Sequence, residues 1–261
     1  MPTKFETPGY LSLNKPIQEK KIFITGGTSR LGDAFVRRAV AAGARVFFSY
    51  YTRHAAAEAL VNLGARAYAL DLNDNAAFPA LAGQLKKDAG SLDALIHNAA
   101  SVCDGTLQTL SEDDWDSVLK VDLKAPAMLT RQCLPLLVND RKRSAVPAKI
   151  IFLTSRAAFR GNYGAANYAA AKAGLLGLMK SLALELAEVP VLVNAVNPGF
   201  MISRMTEKLP EKVLAAQRAA SPLGRESNPE EVADFLVYLL SDKMSQVTGQ
   251  IFHWESRGMV F

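Results

Sequence analysis

Residues 149–172 read KIIFLTSRAAFRGNYGAANYAAAK, and the architecture of the chain is legible from them. Lys149 to Thr154 is an apolar run behind a basic start, the pattern of a strand buried on both faces. Ser155 follows at the carboxyl end of that strand, where open α/β sheets bind ligands. Further on, Tyr168 precedes Lys172 by four residues, so the two lie on one helical face about one turn apart. A hydroxyl, a phenol and an ammonium converging there make a proton-donating site. The phenol can act as general acid towards a carbonyl oxygen, and a neighbouring cation favours its ionised form.

A Tyr-x-x-x-Lys pair with a serine thirteen residues upstream resembles the signature of the short-chain dehydrogenase/reductase family. The resemblance extends over roughly residues 20–254. It implies a doubly wound, Rossmann-type parallel sheet in the order 3-2-1-4-5-6-7, with helices on both faces, and hydride transfer with a nicotinamide cofactor. In the implied mechanism Tyr168 protonates the carbonyl oxygen, Ser155 positions that oxygen, and Lys172 binds ribose and favours the ionised phenol.

Composition agrees with one α/β domain over residues 20–261. The chain has 261 residues, 49% of them hydrophobic and 21% charged, enough apolar material for a sizeable core. Residues 1–19 carry lysines, glutamates and prolines without an apolar run, so they read as a polar tail rather than a signal peptide or a membrane span. Cys103 and Cys133 form no CxxC pair and read as small buried hydrophobes; His54, His97 and His253 show no metal spacing. No metal is expected, and a reduced, cytoplasmic setting fits. The net charge of +5 is too small and dispersed for nucleic acid, but it suits nucleotides or an acidic carrier protein.

Lys21 to Thr25 reads as the first strand, followed by Gly26-Gly27-Thr28-Ser29-Arg30-Leu31-Gly32 and a helix with Leu31, Ala34, Phe35 and Ala39 on one face. Strand, glycine-containing turn and helix is the order of a phosphate cradle. The family pattern is Thr-Gly-x-x-x-Gly-x-Gly; Thr25, Gly26 and Gly32 match, while Arg30 replaces the middle glycine, a departure resembling the pteridine reductase branch. The second strand, Ala44 to Tyr50, ends without the acid that would accept from a ribose 2′-hydroxyl. Tyr50-Tyr51-Thr52-Arg53 follows, and Arg53 with Arg30 suits the 2′-phosphate of NADP, so NADPH is the expected cofactor.

A helix at 55–63, a strand at 67–70 and a strand at 92–97 come next. The resemblance assigns Asp71 to the adenine amino group, with Leu72 beside it, and compares Asn98-Ala99-Ala100 with the family's Asn-Ala-Gly turn. Asn98 can equally well be structural, satisfying strand-end amides. Ser111 starts a long helix running through Trp115 towards Leu137, and within it Asp122 stands where the family has an asparagine that holds a water behind the lysine. Asp122, counted with the catalytic set, has two readings: it holds a water as acceptor, or it pairs with Lys172. Asn139 to Ser144 reads as a polar surface loop.

The helix after Tyr168 is apolar over more than one face, and its second face would meet a partner subunit, as in a homotetramer or dimer. After a strand at 191–196, Asn197-Pro198-Gly199-Phe200-Met201 resembles the family's Pro-Gly turn against the nicotinamide, with Pro198, Gly199 and Met201 as contacts and Ser203 in place of a threonine that holds the carboxamide. The implied cofactor contacts in the first turn are Gly26, Thr28, Ser29, Arg30 and Leu31; Ala99, Tyr168 and Lys172 complete the set. Residues at about 200–224 read as a lid over the substrate, with a short helix near 210–219. Asn228-Pro229-Glu230-Glu231 is a helix start and Val247 to Trp254 the last strand; Glu255-Ser256-Arg257 replaces the family's Asp-Gly-Gly.

For the substrate, Asn167 to Leu175 resembles 3-oxoacyl-acyl-carrier-protein reductases, so a carrier-bound 3-oxoacyl thioester, and with it an acyl carrier protein, is the first expectation. Pro135 and Leu184 stand where those reductases carry basic docking residues. Arg30 and the Ser49 to His54 run favour a pterin or another small carbonyl compound instead. A third reading, of another class, is an inactive cofactor-binding partner subunit, suggested by Asp122 and the altered C-terminal segment.

Overall fold

A strand covered on both faces has no polar side to show water, and β5 (Ala148–Leu153) has all six residues buried. The computed structural model describes residues 16–138, 146–202, 206 and 210–254. Its strands are β1 (Lys21–Ile24), β2 (Arg45–Tyr50), β3 (Arg66–Ala69), β4 (Ala94–His97), β5, β6 (Val191–Asn197) and β7 (Ile251–His253). They pair in parallel in the order 3-2-1-4-5-6-7, as the resemblance implies. The order reverses between β1 and β4, and a crevice for ligands opens at the carboxyl ends there.

Helices clothe both faces. In β1 the side chain of Phe23 joins one core while Ile22 and Ile24 join the other, the two-residue alternation of a strand. The Phe23 side is packed by α3 (Phe78–Ala89), α5 (Ala125–Val138) and α7 (Ala166–Glu185), through residues such as Leu85, Leu129 and Met179. The Ile22 side is packed by α1 (Arg30–Ala41), α2 (His54–Val61) and α9 (Pro229–Leu240), through Phe35, Leu60 and Leu236. Ile17 is fully buried in this second core, so the chain joins the fold before β1 begins.

Several boundaries differ from the sequence reading. The first strand stops at Ile24, because the Thr25 hydroxyl accepts from the Asn98 and Ala99 amides. The last strand spans only Ile251–His253, because Gly249 adopts φ +69° and breaks the extended run from Val247. The sequence reading places no element between Leu72 and Leu92, yet α3 lies there, with Phe78, Leu81, Leu85 and Ala89 buried at helical spacing. The long helix expected from Ser111 through Trp115 towards Leu137 is α4 (Glu112–Leu119) and α5 joined by a π-helical segment, Lys120–Lys124. α6 (Ala157–Arg160) is a single turn, and α8 (Glu211–Ala219) is the short helix of the expected lid. Asn139 to Ser144, Ser203, Arg204, Glu207, Lys208, Glu255 to Arg257 and the tail up to Lys15 lie outside the described residues.

Away from the crevice, β5 begins with a buried cation. Lys149 Nζ donates to the carbonyls of Leu239, at 2.8 Å, and Ser241, closing the end of α9. Burial, with Lys20 nearby, pushes this lysine down to about 8. At its other end α9 is capped by Asn228, whose side-chain oxygen accepts from the amides of Glu230 and Glu231. Asn228→Ala is expected to cost about 1 kcal/mol and lower Tm by roughly 2–4 °C, read by thermal unfolding.

Candidate active site

At the carboxyl end of β5, Ser155 lies half-buried with its hydroxyl accepting from the Ala157 amide at 3.2 Å. The strand end is tied to α7: Thr154 donates its hydroxyl to the Lys172 carbonyl at 3.2 Å, and Lys172 Nζ donates to the Leu153 carbonyl at 3.3 Å. The ammonium stands 5.5 Å from the centre of the Tyr168 ring, so phenol and cation meet one turn apart as their spacing demands. Tyrosine and lysine are thereby held at the end of the strand that Ser155 follows.

Asp122 completes the group from the π-helical segment. Its carboxylate is fully buried, 3.1 Å from Lys172 Nζ, and its other oxygen accepts from the Ser101 amide at 2.7 Å. Of the two sequence readings, pairing with Lys172 is the one the structure has. Burial disfavours charge on both partners. For Lys172 the carboxylate and the Tyr168 oxygen outweigh burial, and the amine is held above its ordinary value as an ammonium. Burial pushes the Asp122 carboxyl up, against the pull of that ammonium and of the Ser101 amide.

Two further side chains, which the motifs did not single out, brace this group. His97, stacked on Phe152 at 4.9 Å between ring centres, shares a 2.8 Å hydrogen bond with the Thr130 hydroxyl. Burial and the Lys172 charge depress it to about 3, so the imidazole is neutral. Asn167 is fully buried beside Tyr168; its amide nitrogen donates to the Cys103 carbonyl at 3.1 Å and its oxygen accepts from the Tyr168 amide at 2.8 Å. Gly105 donates to the Gly164 carbonyl at 2.7 Å, so the loop 101–105 is fastened along the start of α7.

Across the crevice, the turn after β1 has the shape of a cradle for a dinucleotide phosphate. Gly26 adopts φ +66°, and a Cβ at Gly32 would lie 2.2 Å from the Gly26 carbonyl, so neither accepts a side chain. Ser29 caps α1, accepting from the Gly32 amide at 3.0 Å, and Leu31 is buried behind it. Such a helix start favours anions. Thr28 is buried, and its carbonyl accepts from the Arg53 guanidinium, which joins the end of β2 to the turn. Arg30 is exposed at the first residue of α1, and Tyr50 meets the His54 ring edge-on at 5.3 Å. Arg53 thus borders the cradle and Arg30 begins the helix after it, with no acidic residue at the end of β2.

The remaining expected cofactor residues divide into two kinds. Asn98 Nδ2 donates to the carbonyls of Thr25 at 2.9 Å and Gly26 at 3.0 Å and to the Ser29 hydroxyl at 3.1 Å, so this amide binds the turn itself. The Asp71 carboxylate organises its own turn by accepting from the Asn73 amide at 2.8 Å, with Leu72 half-buried next to it. Ala99 packs close to Gly26 across the order reversal, and Gly199 adopts φ +78° after Pro198, where a Cβ would meet Ser227 at 2.3 Å. Met201 is half-buried and its carbonyl accepts from Thr206 at 2.8 Å. α8 reaches the strand end through Gln217, which accepts from Arg156 at 3.2 Å, one residue beyond Ser155.

A family model described as enoyl-(acyl carrier protein) reductase matches residues 27–256. A 3-oxoacyl-[acyl-carrier-protein] reductase, FabG, of Thermotoga maritima is 39% identical over 184 residues, which are 70% of this chain and 73% of that protein. The FabG of Aquifex aeolicus is 34% identical over 247 residues, covering 91% of this chain and 96% of its own. Among solved structures, a Pseudomonas aeruginosa RhlG/NADP active-site complex superposes with a TM-score of 0.87 at 28% identity, over 93% of this chain and 97% of that one.

Asn98→Ala is expected to leave the Thr25 and Gly26 carbonyls short of a donor at the crevice floor. A loss of about 1–3 kcal/mol in denaturant unfolding would follow, and an unchanged midpoint would show that these bonds contribute nothing.

Proposed function

Because the chain belongs to the short-chain dehydrogenase/reductase family, a family of oxidoreductases that use a nicotinamide cofactor, we propose that it is an NADPH-dependent carbonyl reductase acting on a 3-oxoacyl thioester carried by an acyl carrier protein. The observation that supports this reading is the meeting of Lys172 with the Tyr168 ring and with the carbonyl of Leu153, two residues before Ser155, at the end of β5. A nicotinamide dinucleotide bound there supplies a hydride to the carbonyl carbon. Tyr168 gives its phenolic proton to the carbonyl oxygen, and the product is the 3-hydroxyacyl thioester. Ser155 orients that oxygen by hydrogen bonding, and the Lys172 ammonium stabilises the phenolate left behind.

Arg53 and Arg30 are the proposed readers of the 2′-phosphate; a guanidinium grips phosphate bidentately, and the end of β2 offers no acid to a free 2′-hydroxyl. Gly26, Thr28, Ser29, Leu31, Tyr50, Asp71, Leu72, Asn98, Ala99, Pro198, Gly199, Met201 and Ser203 are proposed as the rest of the nucleotide's surroundings. Subunit pairing through α7 is proposed from Leu184, 79% exposed on that helix, and from the exposed Ala166, Ala170, Ala173 and Gly177. No described helix is long and apolar enough to cross a membrane, and a cytoplasmic setting is part of the proposal.

A dihydropterin is the second reading of the substrate, favoured by Arg30 in the cradle. Acetoacetyl thioester, dihydropterin and simple ketones, each offered with NADPH and with NADH, separate the two. Activity confined to the pterin rejects the thioester, and NADPH binding with no turnover of any carbonyl points to an inactive partner subunit. Tyr168→Phe is expected to abolish turnover while leaving NADPH affinity nearly intact; wild-type-like turnover in that variant overturns the mechanism. Arg53→Ala is expected to weaken NADPH binding by about 1.5–3 kcal/mol, roughly tenfold to a hundredfold in Kd, with a smaller loss for NADH because Arg53 also braces the turn through the Thr28 carbonyl.

A further inference from the structure

Asp122 occupies a place where one side chain must answer two donors. The Ser101 amide donates from the loop after β4 to one carboxylate oxygen at 2.7 Å, and the Lys172 ammonium of α7 forms an ion pair with the other oxygen at 3.1 Å, without hydrogen-bond alignment. An asparagine cannot do both. Its single oxygen would accept from one donor, and its own N–H groups would confront the other. The carboxylate is fully buried, so bulk water does not relieve the conflict, and the residue sits in the π-helical segment Lys120–Lys124. We propose that Asp122 is a positioning residue that keeps Lys172 charged and fixed and ties it to the 101–105 loop, so that the π segment sets both the pH range of turnover and the fit of substrate. The proposal deepens the carbonyl-reductase reading and rests on it.

The groups facing Lys172 come from four elements. Tyr168 lies on its own helix, the Leu153 carbonyl belongs to β5, the neutral His97 to β4 and Asp122 to the π segment. Burial alone lowers the lysine, and the carboxylate acts against that. Without the carboxylate the amine loses its proton at lower pH, and an uncharged amine no longer stabilises a phenolate. The alkaline limb of carbonyl reduction therefore moves downward. The same change releases or misplaces Ser101, while Cys103 and Gly105 stay fastened to Asn167 and Gly164.

The test uses wild type, Asp122→Asn and Asp122→Ser, with kcat and KM for acetoacetyl thioester followed from neutral to alkaline pH and NADPH affinity read by fluorescence. Both variants are expected to shift the alkaline limb of kcat down by about one pH unit or more, a tenfold or greater change in proton affinity, and to raise KM. A limb that stays in place while kcat falls uniformly overturns the proposal, because a merely structural role would do that. If the wild type reduces no carbonyl, the reductase reading itself has failed, and the lysine is then read without turnover. The 13Cε resonance of Lys172, assigned through Lys172→Arg, is expected to keep its charged-form shift beyond the pH at which surface lysines titrate. That measurement needs no folded Asp122 variant, and titration of Lys172 below the surface lysines overturns the proposal.

Discussion

A parallel sheet covered on both faces leaves only the ends of its strands open to solvent, and every feature of this molecule follows from that constraint. Chemistry gathers at the carboxyl ends, where β1 and β4 diverge. Because the strands there stop on polar residues, their groups need partners, and Thr25, Ser49, Asn98 and His97 supply them within a few ångströms. The strand ends are therefore hydrogen-bonded within the protein itself.

The buried ion pair sharpens the point. Two charges removed from water are held only where geometry compensates for lost hydration, and breaking one partner away from the other is costly. Asp122 and Lys172 meet that condition with an amide on one side and a carbonyl on the other. Their pairing joins three separate pieces of chain: the loop after β4, the irregular helix before α5, and the helix carrying Tyr168. Tyr168 and the loop beside it share one support.

Much of this was readable in the residues, and the reasons for the exceptions are physical. The strand pattern of Lys149–Leu153, the four-residue step from Tyr168 to Lys172 and the cap at Asn228 are local signals, and each lies within a turn or a strand of what it specifies. The π segment left no trace because the spacing of Val118, Val121 and Ala125 suits an ordinary helix as well. α3 was not read from the sequence although Phe78, Leu81, Leu85 and Ala89 keep helical spacing and Pro79 stands in its first turn. At the site, the choice between a held water and a pair with Lys172 could not be made from sequence, because Asp122 and Lys172 are fifty residues apart and meet only once α7 packs on the π segment. Arg53 was legible as a cation, but its grip on the Thr28 carbonyl was not.

β5 bears a cation at its start and a hydroxyl just past its end. Lys149 fastens the strand to the last turn of α9, far from the crevice, while Ser155 stands at the opposite end, beside the candidate site. One short segment thus acts as a strut between an anchorage and a workplace. Loops around the workplace can drift in sequence, and with them the molecules admitted, as long as the anchorage keeps the strut from sliding.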